Sequence, residues 1–224
     1  MVGAFQGVGK AGQLAKPTAA FGAESRMQAG CKWSRDLLFP GRSVRFPHPA
    51  PDKEDFGMAM KLVSNSFQDG DYIGADHILS ADFGFGCAGG NRSPHLRWEG
   101  APAGTKSFAV TCFDPDAPTG SGFWHWVVAN IPATVTELPL DAGNPASGKM
   151  PAGALEVRTD FGKPGYGGPC PPQGDHPHRY VFTVFAVSQE QLPVTADTSA
   201  AVVGFMLNFN TLEKATLMGL FKRS

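Results

Sequence analysis

The stretch from Gly167 to Val187 reads GGPCPPQGDHPHRYVFTVFAV and joins a proline-rich loop to a regular strand. Prolines remove amide donors and hold φ at about −65°, whereas glycines permit backbone geometries closed to other residues. From Arg179 onward, side chains alternate between two faces, which is typical of a β-strand. The loop therefore delivers His178 and Tyr180 to one face, where a stiff wall with an imidazole and a phenol suits a ligand pocket.

Two further segments predict strands. Lys106–Phe113 alternates between its faces, and Phe123–Ile131 is apolar on both, so we expect the second strand to be central and buried. In that strand we expect Trp124 and Trp126 to share one face and fill the core, opposite the face with His125. Gly-, Pro- and Asp-rich loops separate the strands, so the pattern favours a mainly antiparallel β domain.

The C-terminal part changes period. In Ser199–Asn208 and in Leu212–Phe221, apolar residues recur three and four apart, which predicts one or two short helices. Asp197 or Thr198 is the expected N-cap of the first.

Composition excludes several classes of protein. The chain has 224 residues, a formal net charge of −1, 28 Gly and 19 Pro. Near-neutral charge argues against a nucleic-acid partner, because such binding needs clustered Lys and Arg. No stretch approaches the roughly 20 apolar residues that span a bilayer. The four cysteines form no Cys-x-x-Cys pair, so we expect no structural zinc; a reduced compartment is the simplest interpretation, with a disulfide left open.

Residues 1–57 differ from the rest and predict a disordered or poorly ordered N-terminal extension. They are rich in Ala, Gly and Pro and show no sustained period of either helix or strand. Gly7–Gly12 matches the dinucleotide fingerprint G-x-G-x-x-G, but neither the preceding strand nor the later acid of that motif is present. Without an apolar secretory segment, we expect a cytoplasmic protein.

Two other stretches could carry chemistry beside the opening one. Asp114-Pro-Asp116-Ala-Pro118 holds two acids at fixed positions, although such residues often only bond backbone amides in a turn. His125 stands in a nearly all-apolar strand, where it is either structural or part of a site. Together with His178 and Tyr180 these residues favour an anion such as phosphate or carboxylate, because protonated imidazoles donate charge-assisted hydrogen bonds.

These motifs resemble the phosphatidylethanolamine-binding protein family, and more narrowly its bacterial and archaeal Raf kinase inhibitor-like (YbhB/YbcL) branch. The resemblance covers about Met58 to Lys222, so 58–224 is the expected domain. It rests on DPDAPT from Asp114, WHWVVAN from Trp124, GPCPPQG from Gly168 and HRY from His178.

The resemblance implies a Greek-key β-sandwich with a small anion-binding cavity at one end. The residues that match its cavity positions are Asp114, Asp116, His125, His178 and Tyr180, and those that match its walls are Pro118, Cys170, Pro171 and Pro172. His176 falls outside the match. Relatives often carry Trp where Phe123 stands and Gly where Cys170 stands, so we expect cavity size and ligand to differ.

The predicted function is non-catalytic binding of a phosphate, a carboxylate or a phospholipid head group, with no cofactor, no metal and no catalytic residue. A kinase- or protease-inhibiting role and a homodimer follow only from the resemblance, and no protein partner is identified. The alternative is a metal-dependent hydrolase using His125, His178 and Asp114, whose side chains could imitate a zinc shell.

Overall fold

The computed structural model describes residues 59–224, and the predictions made for residues 1–57 lie outside this range. Two antiparallel sheets and one α-helix, α1 (Ala200–Asn210), make up most of the regular structure of these residues. The eight strands are β1 (Lys61–Val63), β2 (Leu96–Glu99), β3 (Ser107–Asp114), β4 (Phe123–Pro132), β5 (Glu137–Leu138), β6 (Leu155–Glu156), β7 (His178–Val187) and β8 (Thr211–Phe221). Three short 3-10 helices cover Ala75–His77, Ala81–Phe83 and Pro145–Ser147.

The larger sheet has the order β6-β4-β3-β7-β8, and the smaller has the order β1-β2-β5. One face of the larger sheet shares a hydrophobic core with the smaller sheet; this core includes Trp98, Val110, Trp126, Leu138 and Phe182. The other face packs against α1, through residues such as Val127 and Val187 on the sheet and Val203 and Leu207 on the helix. Because both faces are covered, the predicted β-sandwich is confirmed, with one short C-terminal α-helix.

The three predicted strands are confirmed within a residue or two at each end. β3 pairs with β4 on one side and β7 on the other, so it is the middle strand of five and is buried along nearly all its length. Cys112 is fully buried in it as a free thiol. Each large apolar side chain buried there stabilises the fold by about 1.5–3 kcal/mol before entropy is counted.

The prediction of a helix in Leu212–Phe221 is wrong: this segment is strand β8. It pairs with β7 from Thr211 opposite Val187 to Phe221 opposite His178. From Ala215 onward, buried residues alternate with more exposed ones, and Leu217 is the next buried residue. The alternation is short, so the spacing of apolar residues in this segment can be mistaken for that of a helix. Pairing along the whole edge of the sheet satisfies the backbone, and this tertiary contact decides the outcome.

Helix α1 is confirmed, but with another N-cap. The Ser199 hydroxyl accepts a hydrogen bond from the backbone N–H of Val202 at 3.4 Å, in place of the predicted caps Asp197 and Thr198. The helix is too short to cross a bilayer, and no other helix among residues 59–224 has the length and apolar character to do so.

Strand β4 carries a β-bulge near its start. Phe113 of β3 pairs with Trp124, but Cys112, only one residue earlier, pairs with Trp126. The extra residue breaks the two-residue alternation, so Trp126 packs between the sheets while Trp124 packs on the side of α1. The expectation that Trp124 and Trp126 share a face is therefore wrong.

Candidate functional site

A cavity of about 260 Å³ opens where three strands of the larger sheet meet. Because β3 runs antiparallel to both β4 and β7, the end of β3 lies beside the starts of the other two strands. Eight of the nine predicted site residues line it, namely Asp114, Pro118, His125, Cys170, Pro171, Pro172, His178 and Tyr180. Three distant stretches of sequence thus reach one site through sheet pairing.

His178 is held between two carboxylates. Its Nδ1 lies 2.8 Å from Oδ2 of Asp114, and its Nε2 lies 3.3 Å from Oδ2 of Asp175. Burial by itself lowers the pKa of His178, but the hydrogen bond and negative charge of Asp114, with a further contribution from Asp175, bring the pKa above its ordinary value. The imidazole therefore favours its charged form, and two carboxylates balance that charge.

His125 has the opposite electrostatic character. Its Nδ1 donates to the backbone carbonyl of Gly167 at 2.7 Å, and its ring packs on those of Tyr180 and Phe161. Burial lowers the pKa of His125, more than the nearby carbonyls and carboxylates raise it. A neutral ring that donates through Nδ1 offers Nε2 as an acceptor.

The hydroxyl of Tyr180 is buried and makes no hydrogen bond of good geometry among residues 59–224, although the Asp114 carboxylate and the Cys170 backbone lie close enough to affect its pKa. Burial, followed by the charge of Asp114, raises the pKa of Tyr180, so the phenol keeps its proton. A buried hydroxyl without a partner costs about 1–3 kcal/mol. In a side chain that lines a cavity, such a group points to a ligand or an ordered water as its partner.

Asp116 does not line the cavity. Its carboxylate accepts hydrogen bonds from Nε, Nη2 and the backbone N–H of Arg179, all within 2.9 Å. The Arg179 side chain lowers the pKa of Asp116 to about 2. Asp114, by contrast, accepts the backbone N–H of Asp116 through Oδ1 while Oδ2 holds His178. Asp114 therefore both closes the turn and lines the cavity, whereas Asp116 anchors the turn to β7.

A disulfide joins Cys170, in the proline wall, to Cys87, which lies 83 positions earlier. It fastens the segment after the Ala81–Phe83 helix to the cavity, and so the backbone near Phe85 reaches the wall. The sequence left a disulfide open, since neither the spacing of the cysteines nor the composition selects this pair. The bond weighs against the reduced compartment taken there as the simplest interpretation.

Six lining residues were not predicted from the sequence, namely Leu79, Phe85, Ala117, Thr119, Phe161 and Arg223. Ala117 and Thr119 stand inside the DPDAPT motif, which was an available signal. Phe123, where the resemblance implies a change in cavity size, also lines the cavity. Leu79, Phe85 and Arg223 had no such signal, because contacts between distant segments bring them to the cavity. The Leu79 N–H donates to the Pro169 carbonyl, the disulfide holds the segment around Phe85, and Arg223 follows β8.

The ligands of the alternative metal site do not converge. His178 and Asp114 form a hydrogen bond with each other, and His125 donates to the carbonyl of Gly167. Among residues 59–224, one group has metal-binding side chains close together: Asp175, His176 and His178. Their polar atoms bond within the group and to Asp114, which is the arrangement of an ion-pair network, and we assign no metal to it.

Comparison with known proteins identifies the family. A family model described as phosphatidylethanolamine-binding protein matches residues 63–222. The chain belongs to the phosphatidylethanolamine-binding protein family. Its relatives include the UPF0098 proteins YbcL and YbhB of Escherichia coli K12. YbcL is 52% identical over 164 residues, which cover 73% of this chain and 88% of YbcL. YbhB is 51% identical over 162 residues, which cover 72% of this chain and 99% of YbhB.

The fold agrees with this membership. The crystal structure of YbcL, described as a new member of the mammalian PEBP family, matches with a TM-score of 0.71. The match covers 74% of this chain and 99% of the YbcL chain in that crystal structure. The predicted resemblance to phosphatidylethanolamine-binding proteins is therefore confirmed in both sequence and fold, and it supports a non-catalytic binding role for the family domain.

Proposed function

We propose that this protein binds a small anion, either a phosphate, a carboxylate or a phospholipid head group, in the cavity at the end of β3 and carries out no reaction on it. The observation that carries the proposal is the buried Tyr180 hydroxyl, which lines the cavity without a partner among residues 59–224. A bound oxygen would accept its hydrogen bond and remove the cost of leaving it unsatisfied.

The protonation of the two histidines refines the class of anion. His125 favours its neutral form, so its Nε2 accepts a hydrogen bond and does not donate one. An oxygen that still carries a proton, as in monoprotonated inorganic phosphate or a monoprotonated phosphate monoester, suits this acceptor. Tyr180 then donates to a second oxygen of the same group. His178 has both ring nitrogens engaged by carboxylates, so its part is to hold the wall of the cavity.

We also propose that the protein works in an oxidising compartment. Disulfides persist in oxidising compartments and are rare in the cytosol. The Cys87–Cys170 bond therefore favours an oxidising location over the cytoplasmic one expected from the sequence. The inhibitor-like regulatory role and the homodimer that the resemblance implies remain predictions.

Calorimetric titration with inorganic phosphate, acetate and phosphoethanolamine tests the binding proposal. We expect Tyr180→Phe to weaken the ligand that binds wild type by about 10-fold or more, because a hydrogen bond to a charged group is lost. The same change should raise the unfolding free energy of the ligand-free protein by about 1 kcal/mol, since the unsatisfied hydroxyl is removed. Tyr72→Phe, at an exposed tyrosine away from the cavity, is the matched control.

Two results would contradict the proposal. One is a wild-type protein that binds none of the three ligands. The other is a Tyr180→Phe variant that binds the same ligand with wild-type affinity.

A further inference from the structure

The charge of the cavity is unevenly distributed. At the His178 end, one imidazole faces the two carboxylates of Asp114 and Asp175, so its positive charge is already balanced. His125, the other imidazole that lines the cavity, favours its neutral form. Neither imidazole therefore gives the cavity an uncompensated positive charge.

Arg223 supplies such a charge from a different element. It follows β8 and lines the same cavity. Its guanidinium donates to the backbone carbonyls of Phe85 at 3.2 Å, Gly86 at 3.1 Å and Pro171 at 3.4 Å. No carboxylate of residues 59–224 forms an ion pair with it. Carbonyls orient a guanidinium without neutralising it, so its full charge remains for a ligand.

Local backbone structure holds Arg223 in place. Its own backbone pairs with Gln173 and accepts the N–H of Gly174 at 3.2 Å, which fixes it to the proline loop. On the other side, Gly86 has a φ of +83°, and a Cβ there would lie 3.1 Å from Nη2 of Arg223. The disulfide of Cys87, the next residue, ties this side to the same wall. The cation is thus clamped between two segments that are covalently linked.

An apolar wall connects this cation with the His125 end. The ring of Phe161 lies 5.7 Å from that of Phe85, whose carbonyl holds Arg223. The same ring lies 4.8 Å from Phe123 and 5.4 Å from His125. A ligand that spans the cavity therefore meets aromatic side chains between its polar contacts.

We propose that Arg223 supplies the positive charge for the anionic group of the proposed function and so selects organic anions, whose apolar or aromatic part lies along Phe161. This inference rests on the proposed function and names its ligand class: an aryl or alkyl phosphate or carboxylate is preferred over the free inorganic ion. Arginine suits the role because its guanidinium is always charged and carries five N–H groups, of which the three carbonyls engage only part.

Calorimetric titration with phenyl phosphate and with inorganic phosphate tests the inference in wild type, Arg223→Gln, Arg223→Lys and Arg97→Gln. Arg97 is exposed on β2 and does not line the cavity, so its variant is the matched control. We expect wild type to bind phenyl phosphate at least 10-fold more tightly than inorganic phosphate. Arg223→Gln should lose about 10-fold or more of that affinity, Arg223→Lys should stay within about 3-fold of wild type, and Arg97→Gln should not change.

Lys and Gln both remove the guanidinium that bonds three carbonyls, but only Lys keeps the positive charge. The comparison therefore separates the effect of the charge from the effect of those structural hydrogen bonds. Equal losses in the two variants would show that Arg223 only holds the wall, and would overturn the inference. Wild-type affinity in Arg223→Gln, or equal affinity of wild type for the two ligands, would overturn it while leaving the proposed function standing. A wild type that binds neither ligand would overturn both.

Discussion

His178 Nδ1 lies 2.8 Å from Asp114 Oδ2, and the two side chains are only 1% and 3% exposed. This pair links the end of β3 to the start of β7, so it joins the acid-containing turn to the proline loop. Each partner also makes a second contact, Asp114 with the Asp116 backbone and His178 with Asp175. The pair therefore sets both the shape of the cavity and the protonation of its main histidine.

Asp114→Asn should lower the pKa of His178. The substitution keeps the size of the side chain but removes the charge that favours the imidazolium, so burial becomes the dominant effect. We expect a fall of about 1–3 pKa units, measured by NMR titration of the imidazole resonances. Asp116→Asn, which changes the partner of exposed Arg179, is the control and should leave this pKa within about half a unit. An unchanged His178 pKa in Asp114→Asn would show that Asp175 alone determines it.

The stabilising contribution of His178 should decline as pH rises. Its folded-state pKa is raised, so the contribution is complete below the unfolded-state pKa of about 6.5 and is lost as pH rises through the folded-state value. Asp114, Asp175 and the ring of His176 are the titratable groups that face it. His125 has the opposite sign: its lowered pKa means that stability is lost as pH falls below about 6.5.

Urea unfolding of wild type and His178→Asn between about pH 5.5 and 8.5 measures this contribution. The difference in unfolding free energy between the two proteins should be largest at the acid end and shrink toward the alkaline end. A difference that is constant across the range would mean that His178 binds its proton equally in the folded and unfolded chain.

Removing the disulfide should destabilise the protein by about 2–4 kcal/mol. The bond closes a long loop, and its loss frees the segment around Phe85 from the proline wall. Urea unfolding of a Cys87→Ser/Cys170→Ser variant checks the magnitude, and Cys112→Ala, at the buried free thiol, shows the cost of an ordinary core change. Peptide mapping without reductant should recover Cys87 joined to Cys170. Two free thiols at these positions in the purified native protein would contradict the assignment.

Two glycines of the opening loop should respond differently to alanine. A Cβ at Gly168 would collide with the backbone of His77 and Leu79, which cannot move without opening the cavity wall. Gly174 has a φ of +82° but open space around its missing side chain. We expect Gly168→Ala to cost about 3 kcal/mol and Gly174→Ala about 1–2 kcal/mol, because overpacking adds to the first and backbone strain alone to the second. Thermal unfolding of the two variants compares them, and equal costs would show that the wall adapts to the extra methyl.

Much of this cavity can be predicted from the sequence because its residues stand in long, ordered motifs. Eight of the nine expected residues line it, and the strands that carry them are predicted within a residue or two. Asp116 is the exception, since the sequence shows two acids in one turn but not which of them meets Arg179. The assignment of Leu212–Phe221 to a helix fails for a related reason: local apolar spacing carries no information about the open edge of β7.

The sequence by itself determined the family, the β-rich fold and the stretches that form the cavity, because each depends on local pattern and on motifs read along the chain. Only the tertiary structure decided which side chains face one another across it. The β4 bulge separates Trp124 from Trp126, the disulfide brings the segment around Phe85 to the wall, and the end of β8 carries Arg223 into the same space. These outcomes depend on contacts between residues far apart in sequence, whose energies no local pattern contains.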